Sequence, residues 1–256
     1  TKNTNIDKSS FQADRKTKNN SKELKPESRS SLSVYKPEGA YGLIKKHPKP
    51  NAILINDATL WTCGPKGTLA EWDILFVDGK IEQVAPDITV PQGSAVVIEG
   101  AGKHITPGLI DCHSHSAASS INEGTQYITS EVRMKDVIDP NDINIYRQLG
   151  GGLTTANVLH GSANPIGGQN VVIKLRWGSN ANELIFKNAP EGIKFALGEN
   201  VKQANWSGTN RYPQTRMGVE QVIRDAFRAA LDYKHANENY SRNSKNQRTK
   251  MPPRKD

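Results

Sequence analysis

The sequence predicts an α/β fold preceded by a small all-β unit. Short β segments joined by tight turns follow one another between residues 51 and 107, and apolar strands alternate with helical segments after residue 107. Near-continuous apolar strands that alternate with helices are typical of a parallel sheet covered on both faces. A third observation concerns function, since Asp111, His113 and His115 follow an apolar run at alternate positions.

The all-β unit is predicted from four segments. A hairpin is expected over 72–86, where two apolar runs flank Asp78-Gly79, because this pair tolerates the positive φ angles of a type I′ turn. The other strands are predicted in "AILIN" (52–56), "ATLWT" (58–62) and "SAVVIEG" (94–100).

From residue 108 the pattern alternates between strand and helix. A helix is predicted over 139–150, entered through Asp139-Pro140 and ended by the glycines at 150–152. A second helix is predicted over 215–236 from apolar residues at i, i+3 and i+4 spacing. Strands are predicted in "GLIDCHSH" and over 154–160, 170–176 and 192–198.

The ends of the chain are polar and basic. Residues 1–50 carry 12 Lys or Arg against 5 Asp or Glu, and we expect a disordered or linker arm there, with a basic polar tail or loop over 237–256. The arms lack interleaved aromatic residues and nucleic-acid motifs, so nucleic acid is not an expected partner. No apolar run approaches the roughly 18 residues of a membrane span. Two cysteines are too few for a disulfide framework, so both the cytoplasm and, after removal of a signal peptide, the cell envelope or exterior stay open.

The polar residues that follow the strand at Gly108 are candidates for a metal site. Asp111, His113 and His115 project to one face because successive side chains on a strand alternate, whereas Cys112 points into the surrounding layer and is expected to be a small buried apolar residue. Neutral imidazoles are zinc ligands at about 2.0–2.1 Å. The alternative is a pair of histidines hydrogen-bonded near a strand end. Asp111 is expected to orient a ligand or cap a loop.

The segments "VDGKIEQVAP", "PGLIDCHSH", "LHGSANPIGGQNVVIK" and "GIKFALGENVK" together resemble the amidohydrolase superfamily, in the branch around imidazolonepropionase. The resemblance covers roughly residues 51–235. It implies a small β-sandwich unit over 51–107, followed over 108–236 by the first half of a distorted (β/α)8 TIM barrel. It also implies hydrolysis of a carbon–nitrogen bond by a metal-activated water that attacks an amide or cyclic amide.

The resemblance further implies one or two divalent ions, most often zinc. His113 and His115 match the first pair of ligands, and Lys194 lies where related enzymes carry a carboxylated lysine that bridges two ions. The alternative for Lys194 is an ordinary lysine at a strand end with a solvated tip. The general base of the family belongs to the last barrel strand and is expected outside this chain.

Three further residues are candidates for substrate binding. His160 ends a predicted strand, where barrel enzymes place active-site residues, although a hydrogen-bonded loop histidine is an equal alternative. Gln169 belongs to a glycine-rich segment over 161–170 that is predicted as a loop at the pocket mouth. Lys202 is interpreted as a loop lysine that meets substrate.

The 148 residues that follow Gly108 are fewer than the roughly 250 of a complete barrel. We therefore expect an N-terminal fragment whose partners are the missing C-terminal half of the barrel, a second copy in a homo-oligomer, and a small-molecule amide or peptide-like substrate. The alternative is a catalytically inactive binding or scaffold module.

Overall fold

A five-stranded sheet opens the part of the chain described by the computed structural model, which comprises residues 50–243 and 251–253. The predicted arm falls almost entirely, and the predicted tail partly, outside these residues. In the sheet, β1 pairs with β2, β4 and β5, and β2 pairs with β3. The strands are β1 (Ala52–Trp61), β2 (Thr68–Val77), β3 (Lys80–Ala85), β4 (Val96–Glu99) and β5 (His104–Ile105).

The predicted hairpin is β2–β3. Asp78 and Gly79 have φ angles of 50° and 77°, as the two central residues of a type I′ turn require. The first two predicted segments are joined into the single strand β1, whose Ala58 and Leu60 pack on Ile74 of β2. The described residues form one sheet here, so the second layer of a sandwich stays a prediction.

The second part of the chain contains the other strands and the helices. Leu184, on a one-turn helix, is buried in one core cluster with Ile145 of the first helix and with Val158 and Ile173 of two strands. The elements are β6 (Leu109–Ser114), α1 (Ile143–Gly150), β7 (Leu153–Val158), β8 (Ile166–Gln169), β9 (Val171–Lys174), α2 (Ala181–Leu184), β10 (Ile193–Phe195) and α3 (Arg216–Arg242).

The strand order is β6-β7-β9 in one sheet and β10-β8 in another. β6 and β7 are parallel, but β9 is antiparallel to β7 and β8 is antiparallel to β10. The prediction of a wholly parallel sheet is therefore wrong for β9, which was predicted as a strand of that sheet. Residues 159–170, which connect β7 to β9, contain β8 and no helix, whereas a parallel return usually passes through a crossover helix.

The segment predicted as a loop over 161–170 is partly a strand. β8 occupies Ile166–Gln169, and Asn170 is the corner at which the chain leaves the β8–β10 pair and joins β7 as β9. The glycines fit this strand because Gly167 and Gly168 lie against other chain atoms, where an added Cβ would be 2.6 Å from His160 Nδ1 and from Val132 Cγ2, respectively. They allow close packing and not only turns.

Both predicted helices form, with shifted bounds. α1 starts at Ile143, because Asp142 caps it by accepting a hydrogen bond from the Asn144 backbone N–H, and it ends at Gly150 as predicted. α3 continues to Arg242, six residues past the predicted end, so part of the predicted tail is helical. Among the described residues, no helix has the length and apolar character needed to cross a membrane.

Candidate metal centre

His113 and Lys194 meet although their strands do not pair. Their strands β6 and β10 are the outer two of four rows, with β7 and then β8 with β9 between them, and three spacings in a flat sheet would separate the outer rows by about 14 Å. Lys194 Nζ nevertheless lies 3.2 Å from His113 Nε2. The two side chains therefore converge on the concave side of a curved arrangement of strands.

His115 is held in one tautomer by the backbone. Its Nδ1 lies 2.9 Å from the carbonyl oxygen of Leu159. A carbonyl oxygen only accepts hydrogen bonds, so Nδ1 carries the proton and Nε2 keeps its lone pair. A histidine oriented in this way through its second nitrogen is typical of metal ligands.

Electrostatics favour the neutral amine of Lys194 and the neutral imidazole of His113. Lys194 is 7% exposed, and this burial lowers its amine pKa. The pKa of His113 is also lowered, first by partial burial and then by the positive charges of Lys194 and His115, with Asp111 opposing. Neutral imidazole is the form that binds a metal.

Asp111 supports the strand next to the imidazoles. Its Oδ1 accepts a hydrogen bond of 3.0 Å from the backbone N–H of His113. This contact fits the expected orienting role, because it acts on the backbone that carries the candidate ligand.

The histidine pair fits a shared ion. The two ring centroids are 5.1 Å apart and the rings are inclined by 84°. Two imidazoles bound to one ion at about 2.0–2.1 Å, with a tetrahedral angle between them, would place their centroids about 5 Å apart. No group of three His, Cys, Asp or Glu residues that could hold a metal exists in the described part of the chain. Within the described residues, a third ligand for this pair would be of another kind, such as a carboxylated Lys194.

His160 is 1% exposed and is engaged at both ring nitrogens. Nδ1 lies 2.8 Å from the carbonyl oxygen of Gly161, and Nε2 accepts a 2.8 Å hydrogen bond from the backbone N–H of Glu123. This arrangement is that of the hydrogen-bonded loop histidine, the alternative to substrate binding. Burial is the largest cause of its lowered pKa.

The other two substrate candidates are also engaged within the chain. Gln169 donates from Nε2 to the carbonyl oxygen of Ser130 at 3.0 Å, which ties β8 to the preceding loop. Lys202 Nζ forms a 2.6 Å ion pair with Glu199 Oε2. No hydrogen bond or ion pair joins either residue to His113, His115 or Lys194 within the described part of the chain, and their substrate roles stay predictions.

Cys112 is exposed, so the prediction of a buried apolar residue is wrong. The reason is that β6 is an edge strand, paired only with β7 among the described strands. Its neighbours Leu109 and Ile110 are exposed for the same reason.

Arg211 is a functional candidate that the sequence did not suggest. Its guanidinium donates to the carbonyl oxygens of Gly124 and Gln126, and it also bonds Asn164 Oδ1 and the Ala163 carbonyl oxygen at 2.8 Å. It therefore joins the loops that follow β6 and β7. An arginine in a polar loop carries no sequence signal for this role.

Two asparagines on the concave side were also missed. Asn157 lies on β7 and Asn170 at the β8–β9 corner, and their side chains are hydrogen-bonded to each other at 2.6 Å. A signal was present for Asn157, which is a polar residue within an apolar strand and alternates with the buried Ala156 and Val158.

Comparison with known proteins identifies relatives of one kind. Over 211 residues the chain is 33% identical to the amidohydrolase tasK of Hapsidospora irregularis, a match that spans 69% of this chain and 21% of that protein. It is 41% identical over 51 residues to an imidazolonepropionase of Klebsiella pneumoniae, spanning 20% of this chain and 12% of that protein.

A solved structure extends the similarity to the fold. The crystal structure of an amidohydrolase from Thermotoga maritima MSB8 superposes with a TM-score of 0.67 at 33% identity, covering 78% of this chain and 52% of that chain. No family model matches. The chain thus spans about a fifth of the first curated relative and about half of the solved amidohydrolase.

Proposed function

We propose, from the premise that this chain belongs to the amidohydrolase superfamily, that it takes part in the metal-dependent hydrolysis of a carbon–nitrogen bond. The substrate would be a small amide, cyclic amide or peptide-like molecule. The chain would contribute the first half of a (β/α)8 barrel, preceded by a β-sandwich unit, and the metal ligands His113, His115 and Lys194.

The observation that carries this proposal is the 3.2 Å approach of Lys194 Nζ to His113 Nε2. A lysine beside a histidine is an unusual structural pair, because both are cations when protonated. Burial of Lys194 adds to the cost of its charge. A neutral amine beside a neutral imidazole is the arrangement expected before the lysine is carboxylated.

Carboxylation of Lys194 would turn it into an anionic ligand. The neutral Nζ lone pair attacks the carbon of CO2, an N–C bond forms, and one proton leaves the nitrogen for solvent. The product is a carbamate whose oxygens are hard ligands for divalent ions. The lowered pKa of Lys194 favours this step, because only the unprotonated amine reacts.

A bound zinc ion would polarise the scissile carbonyl and lower the pKa of water to about 7. The residues of this chain would hold the ion and position its ligands. Leu159 fixes the tautomer of His115 through its carbonyl oxygen, Asp111 supports the backbone at His113, and burial keeps Lys194 reactive. The general base would come from the other half of the barrel.

A complementary half of the barrel is the proposed partner of β6. Leu109 and Ile110 of this edge strand are 60% and 72% exposed, and an apolar strand edge is a template for further pairing. The solved amidohydrolase, of which this chain covers 52%, has the length for such a half.

The first experiment is elemental analysis of zinc in the purified chain. We expect one or two zinc equivalents in wild type, loss in His113→Ala/His115→Ala, and retention in the matched control His104→Ala/His235→Ala, whose histidines lie on β5 and α3. Zinc that remains in the first variant would refute the proposed ligands.

Lys194 has its own test. Wild type incubated with 13C-labelled bicarbonate is expected to show a carbamate resonance by NMR, and Lys194→Met to lack it. The same resonance in both proteins would exclude Lys194 as the carboxylated residue.

A catalytically inactive scaffold is the second candidate. The absence of a cluster of three His, Cys, Asp or Glu residues between residues 50 and 243 favours it. The scaffold would bind no zinc at stoichiometric levels and would form no carbamate, so the two measurements above separate the candidates.

A further inference from the structure

We infer that Asn157 and Asn170 are positioning residues that set the distance between His113 and Lys194. This role rests on the proposed function, since it assigns both asparagines to the support of the proposed metal ligands. Neither asparagine contacts the reacting atoms in this arrangement.

The two candidate ligands need such support because no β-ladder joins their strands. His113 belongs to the β6-β7-β9 sheet, and Lys194 belongs to the β10-β8 pair. Among the described strands, the chain itself passes between the two sheets at Asn170, where β8 ends and β9 begins. A rotation of the backbone at this corner would move Lys194 relative to His113.

A relay of hydrogen bonds crosses the same gap. Asn157 Nδ2 donates to the carbonyl oxygen of Cys112 at 3.3 Å, and Asn170 Nδ2 donates to Asn157 Oδ1 at 2.6 Å. The backbone N–H of Asn170 donates to the carbonyl oxygen of Gly192 at 2.9 Å. The relay therefore begins one residue before His113 and ends two residues before Lys194.

The direction of the relay is fixed by its first acceptor. The Cys112 carbonyl oxygen can only accept, so Asn157 must turn its amide nitrogen toward it and its oxygen toward Asn170. Asn170 must then present its own amide nitrogen. A carboxylate of the same shape has no donor and cannot replace the amide at either position.

Gly192 has no side chain, and this leaves room for the side chain of Asn170. An added Cβ at Gly192 would lie 3.3 Å from Asn170 Oδ1, which is a tight contact. Asn170 Oδ1 is buried and has no hydrogen-bond partner among the described residues. The amide group is thus held through its nitrogen, on the side that faces β7.

The test compares the isosteric variants Asn157→Asp and Asn170→Asp with the control Asn182→Asp, an exposed asparagine of α2. Crystal structures without metal would measure the separation of Lys194 Nζ and His113 Nε2. Zinc affinity would be measured by competition with a chromophoric chelator, and carbamate formation by 13C NMR.

We expect both relay variants to separate the two nitrogens beyond hydrogen-bond distance and to lose the carbamate resonance. Their zinc Kd should rise by about 10- to 100-fold, the usual effect of removing a group that orients a ligand. The control should keep wild-type values. A purely structural role would lower the thermal midpoint without these changes.

Unchanged separation and zinc Kd in folded relay variants would overturn the positioning role and leave the proposed function standing. A wild type that keeps the close pair but binds no zinc would refute the proposed function, while a wider separation in the variants would still support positioning. Should the aspartate variants fail to fold, Gly192→Ala tests the same contact, and a zinc Kd equal to that of wild type would overturn the inference.

Discussion

The hydrogen bonds of single residues distinguish the candidate ligand His115 from the buried His160. Among the described residues, His115 has a carbonyl oxygen at one nitrogen and no hydrogen-bond partner at the other, whereas His160 has both nitrogens engaged by the backbone. The same residue type thus serves two purposes within one fold. The sequence could not distinguish them, because the distinction depends on carbonyl and amide groups of other loops.

His160→Ala is expected to destabilise the protein by about 1–3 kcal/mol, because it removes a buried imidazole and the hydrogen-bond acceptor of the Glu123 backbone N–H. The measurement is urea unfolding, with His235→Ala on the exposed side of α3 as the control. The pKa of His160 in the folded protein lies below its ordinary value of 6.5. The stabilisation of the fold by the neutral His160 ring is therefore fully present above pH 6.5 and is lost as the pH falls through the pKa of the folded state. Wild-type stability of His160→Ala with impaired ligand binding would instead favour the substrate role.

Glu199 provides a second prediction with a defined pH range. Hydrogen bonds from Lys202 and then Arg216 lower its pKa from 4.5 to about 2. A depressed carboxyl pKa stabilises the fold above 4.5, and this contribution is lost as pH falls toward about 2. Glu199→Gln should therefore lower the urea midpoint at pH 7 and match wild type near pH 2. An equal difference in urea midpoint between Glu199→Gln and wild type at pH 7 and near pH 2 would contradict this prediction.

At the scale of elements, close backbone packing determines how β8 lies. Gly168 is buried, and an added Cβ would be 2.6 Å from Val132 Cγ2 and 2.7 Å from Val132 O. The Gln169 backbone N–H also donates to the Val132 carbonyl oxygen at 2.8 Å. Strand β8 therefore packs closely against the loop that precedes α1.

Gly168→Ala is expected to cost about 1–3 kcal/mol through overpacking, because backbone atoms of Val132 cannot yield easily. Gly124→Ala is the matched control, since an added Cβ there meets no atom within 4 Å. Denaturant unfolding of both variants provides the comparison. A Gly168→Ala protein as stable as the control would show that the loop moves without cost.

The elements that the sequence predicts correctly are those with a local cause. The Asp78-Gly79 turn and the end of α1 at Gly150 follow from backbone preferences of the residues concerned. The direction of β9 was missed because it depends on the return of the chain from β7 through β8, without a crossover helix. The His113–Lys194 contact could be expected only through a resemblance, since 81 residues separate the two in sequence.

At the scale of the whole molecule, large apolar side chains remain exposed on the second part of the chain. They include Ile110 at 72%, Leu197 at 71% and Met217 at 79%. Exposed apolar side chains that adjoin one another mark an interface or a site of aggregation. It fits the proposed pairing with a complementary half of the barrel.

Ile110→Lys/Leu197→Lys is expected to reduce binding of a hydrophobic dye and self-association without loss of thermal stability, because neither side chain is buried. Dye fluorescence and sedimentation velocity would measure these effects. Ile81→Lys, at a 61% exposed position of β3, is the control. An equal reduction in the control would show that apolar exposure is general and not specific to this surface.

The Arg211 contacts have a consequence for how the loops after β6 and β7 respond to acid. The oxygens that accept from its guanidinium belong to backbone carbonyls and an asparagine amide, none of which titrates. Glu199, which joins the start of α3 to the loop after β10, loses its charge in acid. Acid should therefore release these loops in a fixed order, with the α3 side first and the loops after β6 and β7 still tied together.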